Sequence, residues 1–96
     1  MNSRQRAYLR SLASKESPIF QIGKSALTPE ITEAVAECFN TRELVKITVL
    51  NNCLEDPKAM GQTLAERTGS ELVSVIGKKI VLYKENKDKK KIELPK

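Results

Sequence analysis

The hydrophobic pattern is densest around the stretch ELVSVIGKKIVLYK, Glu71 to Lys84. Leu72, Val73, Val75 and Ile76 break off at Gly77-Lys78, and apolar positions resume at Ile80, Val81, Leu82 and Tyr83. Two β-rich runs joined by Gly-X predict a tight hairpin, because glycine at the first central position supplies the positive φ of a type II′ turn. Nearly every position in both runs is apolar. Both strands are therefore expected inside a sheet and covered by helices.

Upstream, Ser3 to Ala13 reads as a helix capped by Ser3. Tyr8, Leu9, Leu12 and Ala13 form its inward stripe, and Arg6 and Arg10 share another side at i, i+4. Pro18 opens IFQI, with Phe20 and Ile22 on one side of a short strand. Thr28 as cap, Pro29 as first helical residue and Glu30 in the first turn start a second helix. Ile31, Ala34, Val35, Cys38 and Phe39 recur at helical spacing along it, and Glu30, Glu33 and Glu37 fall on its solvated side. Leu44 to Leu50 alternates as a strand: Val45, Ile47 and Val49 face one way, Lys46 and Thr48 the other, so one face of the sheet is at least partly wet. Asp56-Pro57 starts a third helix with Met60 and Leu64 inside. Gly61 weakens it and Gly69 stops it.

The resulting order, α-β-α-β-α-β-β, needs parallel pairs with right-handed crossovers and a closing antiparallel hairpin. It predicts an α/β two-layer sandwich with a mixed four-stranded sheet. The 96 residues form one domain, long enough for a single core and too short for two. Residues 85–96, ENKDKKKIELPK, are expected to be a flexible basic tail, with Ile92 and Leu94 available to dock.

Charge changes the picture more than composition does. Net charge is +5 and pI is near 9.4. Met1 to Lys24 carries +4, Ser25 to Gly77 carries −4, and Lys78 to Lys96 carries +5. Basic ends around an acidic middle imply a basic patch if the ends meet in space. No apolar run approaches the roughly 20 residues that span a bilayer, and the N-terminal segment lacks the apolar core of a secretory signal. A cytoplasmic protein without membrane contact is expected.

Catalysis finds little support. The chain has no histidine, neither cysteine has an evident base partner, and no carboxylate pair suggests a shared cleft. Two thiols without histidine do not make a usual four-ligand zinc site. Cys38 reads as a small core residue and Cys53 as a loop residue, and no disulfide, metal, cofactor or small-molecule substrate is expected.

The best binding candidate is Gly23-Lys24-Ser25-Ala26, which joins a strand to a helix. Free backbone N–H groups and a helix N-terminus there favour anions. Glycine admits close approach of a nucleic-acid backbone, as in the clamping loop of KH domains. Aromatic residues are too scarce for a base-stacking sheet platform, so phosphate contacts and shape are expected to dominate.

The segments GKSALTPEI, ELVKITVL and LAERTGSELVSVIGKKIVLYK together resemble the CRM domain family (chloroplast RNA splicing and ribosome maturation), in its stand-alone bacterial YhbY-like form. The resemblance covers nearly the whole chain. It implies a fold like the C-terminal domain of translation initiation factor three with an added N-terminal helix. It also implies RNA binding, and association with precursors of the large ribosomal subunit. The family's glycine loop falls on Gly23, Lys24, Ser25 and Ala26. Its usual fourth glycine is Ala26 here, small enough for close approach but unfavourable for positive φ. The family's basic surface corresponds to Arg6, Arg10, Lys24, Lys46, Lys78, Lys79 and Lys84.

The sequence thus points to a non-catalytic, monomeric RNA-binding protein whose partner is ribosomal RNA in large-subunit precursors. The alternative is a protein-interaction module that docks on acidic or ribosomal protein surfaces.

Overall fold

A computed structural model of the chain describes residues 1–88 and 90–95. Its elements are α1 (Ser3–Ala13), β1 (Phe20–Ile22), α2 (Pro29–Cys38), β2 (Leu44–Val49), α3 (Pro57–Thr68), β3 (Glu71–Ile76) and β4 (Lys79–Tyr83). They build one four-stranded sheet in the order β1-β2-β4-β3. β1 lies parallel to β2, while β4 is antiparallel to both β2 and β3. The sheet is mixed, and β1, β2 and β3 all run in the same direction.

The hairpin turns as its sequence requires, with Gly77 at φ +60°. Only β4 is interior, however. It pairs with β2, which leaves β3 at the edge. β3 stays apolar because α1 and α3 both pack on it. A bulge at Val73, between Leu72 and Ser74, shifts its register.

Alternation along the strands divides the core in two. Val45, Ile47 and Val49 of β2 join Ile80 and Leu82 of β4 beneath α2 and α3, which contribute Val35, Met60 and Leu64. These two layers are the α/β sandwich expected from the pattern. On the opposite face, Leu9 and Ala13 of α1 cover Val73, Val81 and Tyr83, with Leu12, Leu44, Ile92 and Leu94 packed around them. Gly61 of α3 has a packing role beyond weakening the helix. A Cβ there would come within 2.9 Å of Leu72 Cδ1 and 3.3 Å of Ile80 Cγ2, so bare backbone lets α3 settle close to the sheet.

The helix starts confirm one cap and correct another. Thr28 Oγ1 accepts the Ile31 N–H at the head of α2, followed by Pro29. For α1 the cap is Asn2, not Ser3. Its side chain accepts the Gln5 N–H while Gln5 Oε1 accepts the Asn2 N–H, a reciprocal box. Asn2 takes over because the helix begins one residue earlier than the serine implies. Tyr8 is 40% exposed and lies outside the inward stripe. Asp56 occupies the cap position of α3 without a side-chain bond, and Gly69 ends that helix in the left-handed conformation at φ +69°. Cys38 and Cys53 are free thiols, Cys53 buried beneath its loop.

The C-terminal segment does dock. Glu43, at 3% exposure, accepts backbone N–H groups from Asn86, Lys91 and Ile92 at 2.9, 2.6 and 2.8 Å. Gln5 Nε2 donates to the Pro95 carbonyl. Ile92 and Leu94 then pack beside α1. Lys89 and Lys96 of the expected tail lie outside the described residues. No helix among the described residues is long and apolar enough to cross a membrane.

Candidate nucleic-acid interface

Because β1, β2 and β3 run the same way, the connections that follow them gather at one end of the sheet. These are Gly23–Ala26 after β1, Leu50–Cys53 after β2 and Gly77-Lys78 after β3. The three are tied together. Leu50 N–H donates to the Ile22 carbonyl at 2.8 Å and Val49 N–H to the Lys78 carbonyl at 2.7 Å. Lys78 Nζ donates to Asn51 Oδ1 at 3.0 Å. A Cβ on Gly23 would stand 3.3 Å from Asn52 Oδ1, so the absent side chain lets the β2–α3 loop lie against the glycine loop.

The glycine loop closes with a turn in which Ala26 N–H donates to the Gly23 carbonyl at 2.9 Å. Lys24 and Ser25, at its centre, are exposed. Ala26 follows at φ +54°, the one non-glycine residue with positive φ among those described. The loop therefore keeps the left-handed fourth position that glycine would adopt freely, although an L-residue resists it by about 1–2 kcal/mol. The Ala26 side chain packs against the core, which favours alanine in return.

The predicted site residues fall into two groups. Lys24, Lys78 and Lys79 stand at this end. Arg10 and Lys46 come close to Lys79 from the side, lining a cleft between the end of α1 and the sheet. Arg10, Lys24 and Lys79 have no carboxylate partner among the described residues, whereas Lys90 pairs with Glu85 at 3.3 Å. Their fields thus add instead of being neutralised locally.

Arg6 and Lys84 lie elsewhere. Arg6 donates from one guanidinium nitrogen to the Leu72 and Val73 carbonyls at 2.9 and 3.0 Å. These carbonyls sit at the bulge of the edge strand, where ladder pairing lapses. Lys84 follows the last strand at the opposite end of the sheet and donates to the Thr68 carbonyl at 3.1 Å. That carbonyl ends α3, where the helix has unsatisfied acceptors and a negative pole. Lys46 behaves similarly. Its Nζ reaches the carbonyls of Ala13, the last residue of α1, and of Glu16 just after it at 3.1 and 3.3 Å, so it holds the helix end as well as lining the cleft.

The opposite end is less suited to phosphate. A concavity there, about 410 Å³, is lined by Lys84, Lys87 and Lys90 but also by Glu71 and by Glu85, which pairs with Lys90. Tyr83 borders it, its hydroxyl pKa raised by burial and then by Glu43, Glu85 and Glu71. Sequence reading missed part of the basic end as well. Ile76 is 64% exposed and stands opposite Lys79. The alternation in β2 marked Lys46 and Thr48 as outward, but the register that sets them beside Lys79 and Ile76 is a long-range property.

This is an α/β domain that presents a glycine loop and a lysine-tipped hairpin at one end of a mixed sheet. The chain belongs to the CRS1 / YhbY (CRM) domain family, which it matches over residues 1–84. It is 43% identical to a Bacillus subtilis (strain 168) protein named "Probable RNA-binding protein YqeI", over 99% of each chain. A Haemophilus influenzae protein named "RNA-binding protein" is 26% identical, over 99% of this chain and 95% of its own. The solution structure of a Staphylococcus aureus protein, 46% identical, superposes with a TM-score of 0.84 and covers 99% of both chains.

Proposed function

We propose that this protein binds RNA without catalysing a reaction, and that its ligand is ribosomal RNA in precursors of the large ribosomal subunit. The Lys24 ammonium and the backbone amides of Lys24 and Ser25 hold phosphate oxygens, and Lys78, Lys79 and Arg10 widen the surface. The observation that carries this reading is the common direction of β1, β2 and β3, which brings the glycine loop and the hairpin tip to one end. Unneutralised cations beside exposed backbone amides attract a polyanion whatever its sequence. The RNA-binding names of the relatives support the ligand class, and the resemblance to the stand-alone bacterial form supports the ribosomal context.

In a filter-binding titration with ribosomal RNA fragments, Lys24→Glu weakens binding across sequences while the melting temperature stays near that of the parent. Equal affinity of the two proteins removes the loop from the site. Crosslinking in cells followed by sequencing of the attached RNA tests the ribosomal assignment, and a distribution that follows RNA abundance alone would overturn it.

A further inference from the structure

The sheet face beneath α1 is only partly covered. Past the end of that helix, Gln21, Thr48, Lys79 and Ile76 stand in mutual register as a row across all four strands. Behind it, Val81 is flanked by Lys46 and Ser74. The end of α1 overhangs this second row with Arg10, and a cleft of about 170 Å³ results.

The cleft combines two features, an apolar floor and a set of cations around it. Ile76 is exposed at its mouth with Val81 behind, an apolar floor. Arg10, Lys46 and Lys79 place three cations around that floor. A bare phosphate gains nothing from Ile76, and an apolar peptide side chain gains nothing from the cations. The volume falls short of the roughly 300–1,000 Å³ typical of drug-sized ligands. An unpaired nucleotide matches both features, with its base over Ile76 and Val81 and its phosphates towards Arg10 and Lys79.

We propose that this cleft takes one unpaired base of the bound RNA, so that the protein distinguishes exposed bases from a plain ribose-phosphate backbone. The proposal rests on the reading of the basic end as an RNA surface and adds a base subsite to it. Packing on an aliphatic floor falls at the weak end of base-stacking energies, about fivefold in affinity.

Fluorescence anisotropy at low salt tests it with two labelled probes, an oligouridine octamer and a ribose-phosphate octamer without bases. The parent protein binds the oligouridine about fivefold more tightly. Ile76→Ser erases that preference by weakening oligouridine alone. Ile76→Thr, which keeps β-branching for the hairpin, serves as the second variant if serine lowers the melting temperature. If the parent binds both probes equally, or if both variants keep the fivefold preference, the base subsite is overturned while RNA binding stands. If the parent binds neither probe, the RNA reading itself fails and the subsite with it.

Discussion

Glu43 and Ile92 are 49 residues apart, yet the Glu43 carboxylate accepts the Ile92 backbone N–H at 2.8 Å. The same carboxylate takes the N–H groups of Asn86 and Lys91. One buried acidic side chain thereby folds the C-terminal segment beside α1, where Ile92 and Leu94 pack near Leu44 and Tyr83. Burying a carboxylate is unfavourable unless its oxygens are satisfied, and here three donors satisfy them.

Glu43→Ala should therefore release the segment. The expected loss is about 1–3 kcal/mol, since the freed N–H groups regain water when the strap opens. Amide hydrogen exchange at Lys91 and Ile92 should rise to the rate of an open chain, while exchange in β2 and β4 changes little. Retained protection at those two amides would show that Ile92 and Leu94 hold the segment without the carboxylate.

The same carboxylate gives stability a pH dependence of definite sign. Burial pushes its pKa up, but hydrogen bonds from Asn86, Lys91 and Ile92 and the charge of Lys90 outweigh burial and leave it below 4.5. A folded-state value below the unfolded one means that the unfolded chain takes up the proton first. The contribution is complete above about pH 4.5 and is lost as pH falls through the lower folded value. Thermal melts across the acid range should show a shallower decline for Glu43→Gln than for the parent.

Ala26 holds φ at +54°, and glycine would adopt this conformation without resistance. Ala26→Gly relieves about 1–2 kcal/mol of strain and gives up one partly buried methyl worth about 0.8 kcal/mol. A net gain of about 0.5 kcal/mol should raise the melting temperature by roughly 2–4 °C. Ala26→Val, β-branched at positive φ, should lower it. The opposite order would mean that the loop does not need its left-handed fourth position.

The cations separate by task. Lys46 and Lys84 satisfy carbonyls at the ends of α1 and α3, so replacing either with alanine should cost about 1 kcal/mol in thermal unfolding. Lys24→Ala and Lys79→Ala, which remove exposed and unpaired charges, should stay within about 0.5 kcal/mol.

Local chemistry made much of this legible in advance. Thr28-Pro29, Gly69 and Gly77-Lys78 each state a cap, a stop or a turn in two or three residues, and the alternation of β2 announced its buried and wet faces. What escaped depends on neighbours distant in sequence. Nothing near Ile76 or Val73 says that β3 is an edge strand, because α1 and α3 cover it as a neighbouring strand would. Nothing near Lys46 or Arg6 says that the cation meets a carbonyl of another element, so both read as free surface charges. The tail looked solvated because its lysines dominate, whereas its docking depends on backbone N–H groups meeting Glu43. For the site, charge counts located the basic ends of the chain, and strand direction decided which cations share a surface.

Paired charge reversals read out by the salt dependence of RNA binding test the central claim most directly. Lys24→Glu and Lys79→Glu alter the end where the glycine loop and hairpin meet, and Lys87→Glu makes the same charge change at the opposite end. With a ribosomal RNA fragment, the log–log slope of affinity against salt should become shallower by about 0.7–0.9 for each phosphate that the protein no longer holds. That change is predicted for Lys24→Glu and Lys79→Glu, and an unchanged slope for Lys87→Glu. Equal slopes in all three variants, or the largest change in Lys87→Glu, would contradict the assignment of this end as the phosphate-binding surface.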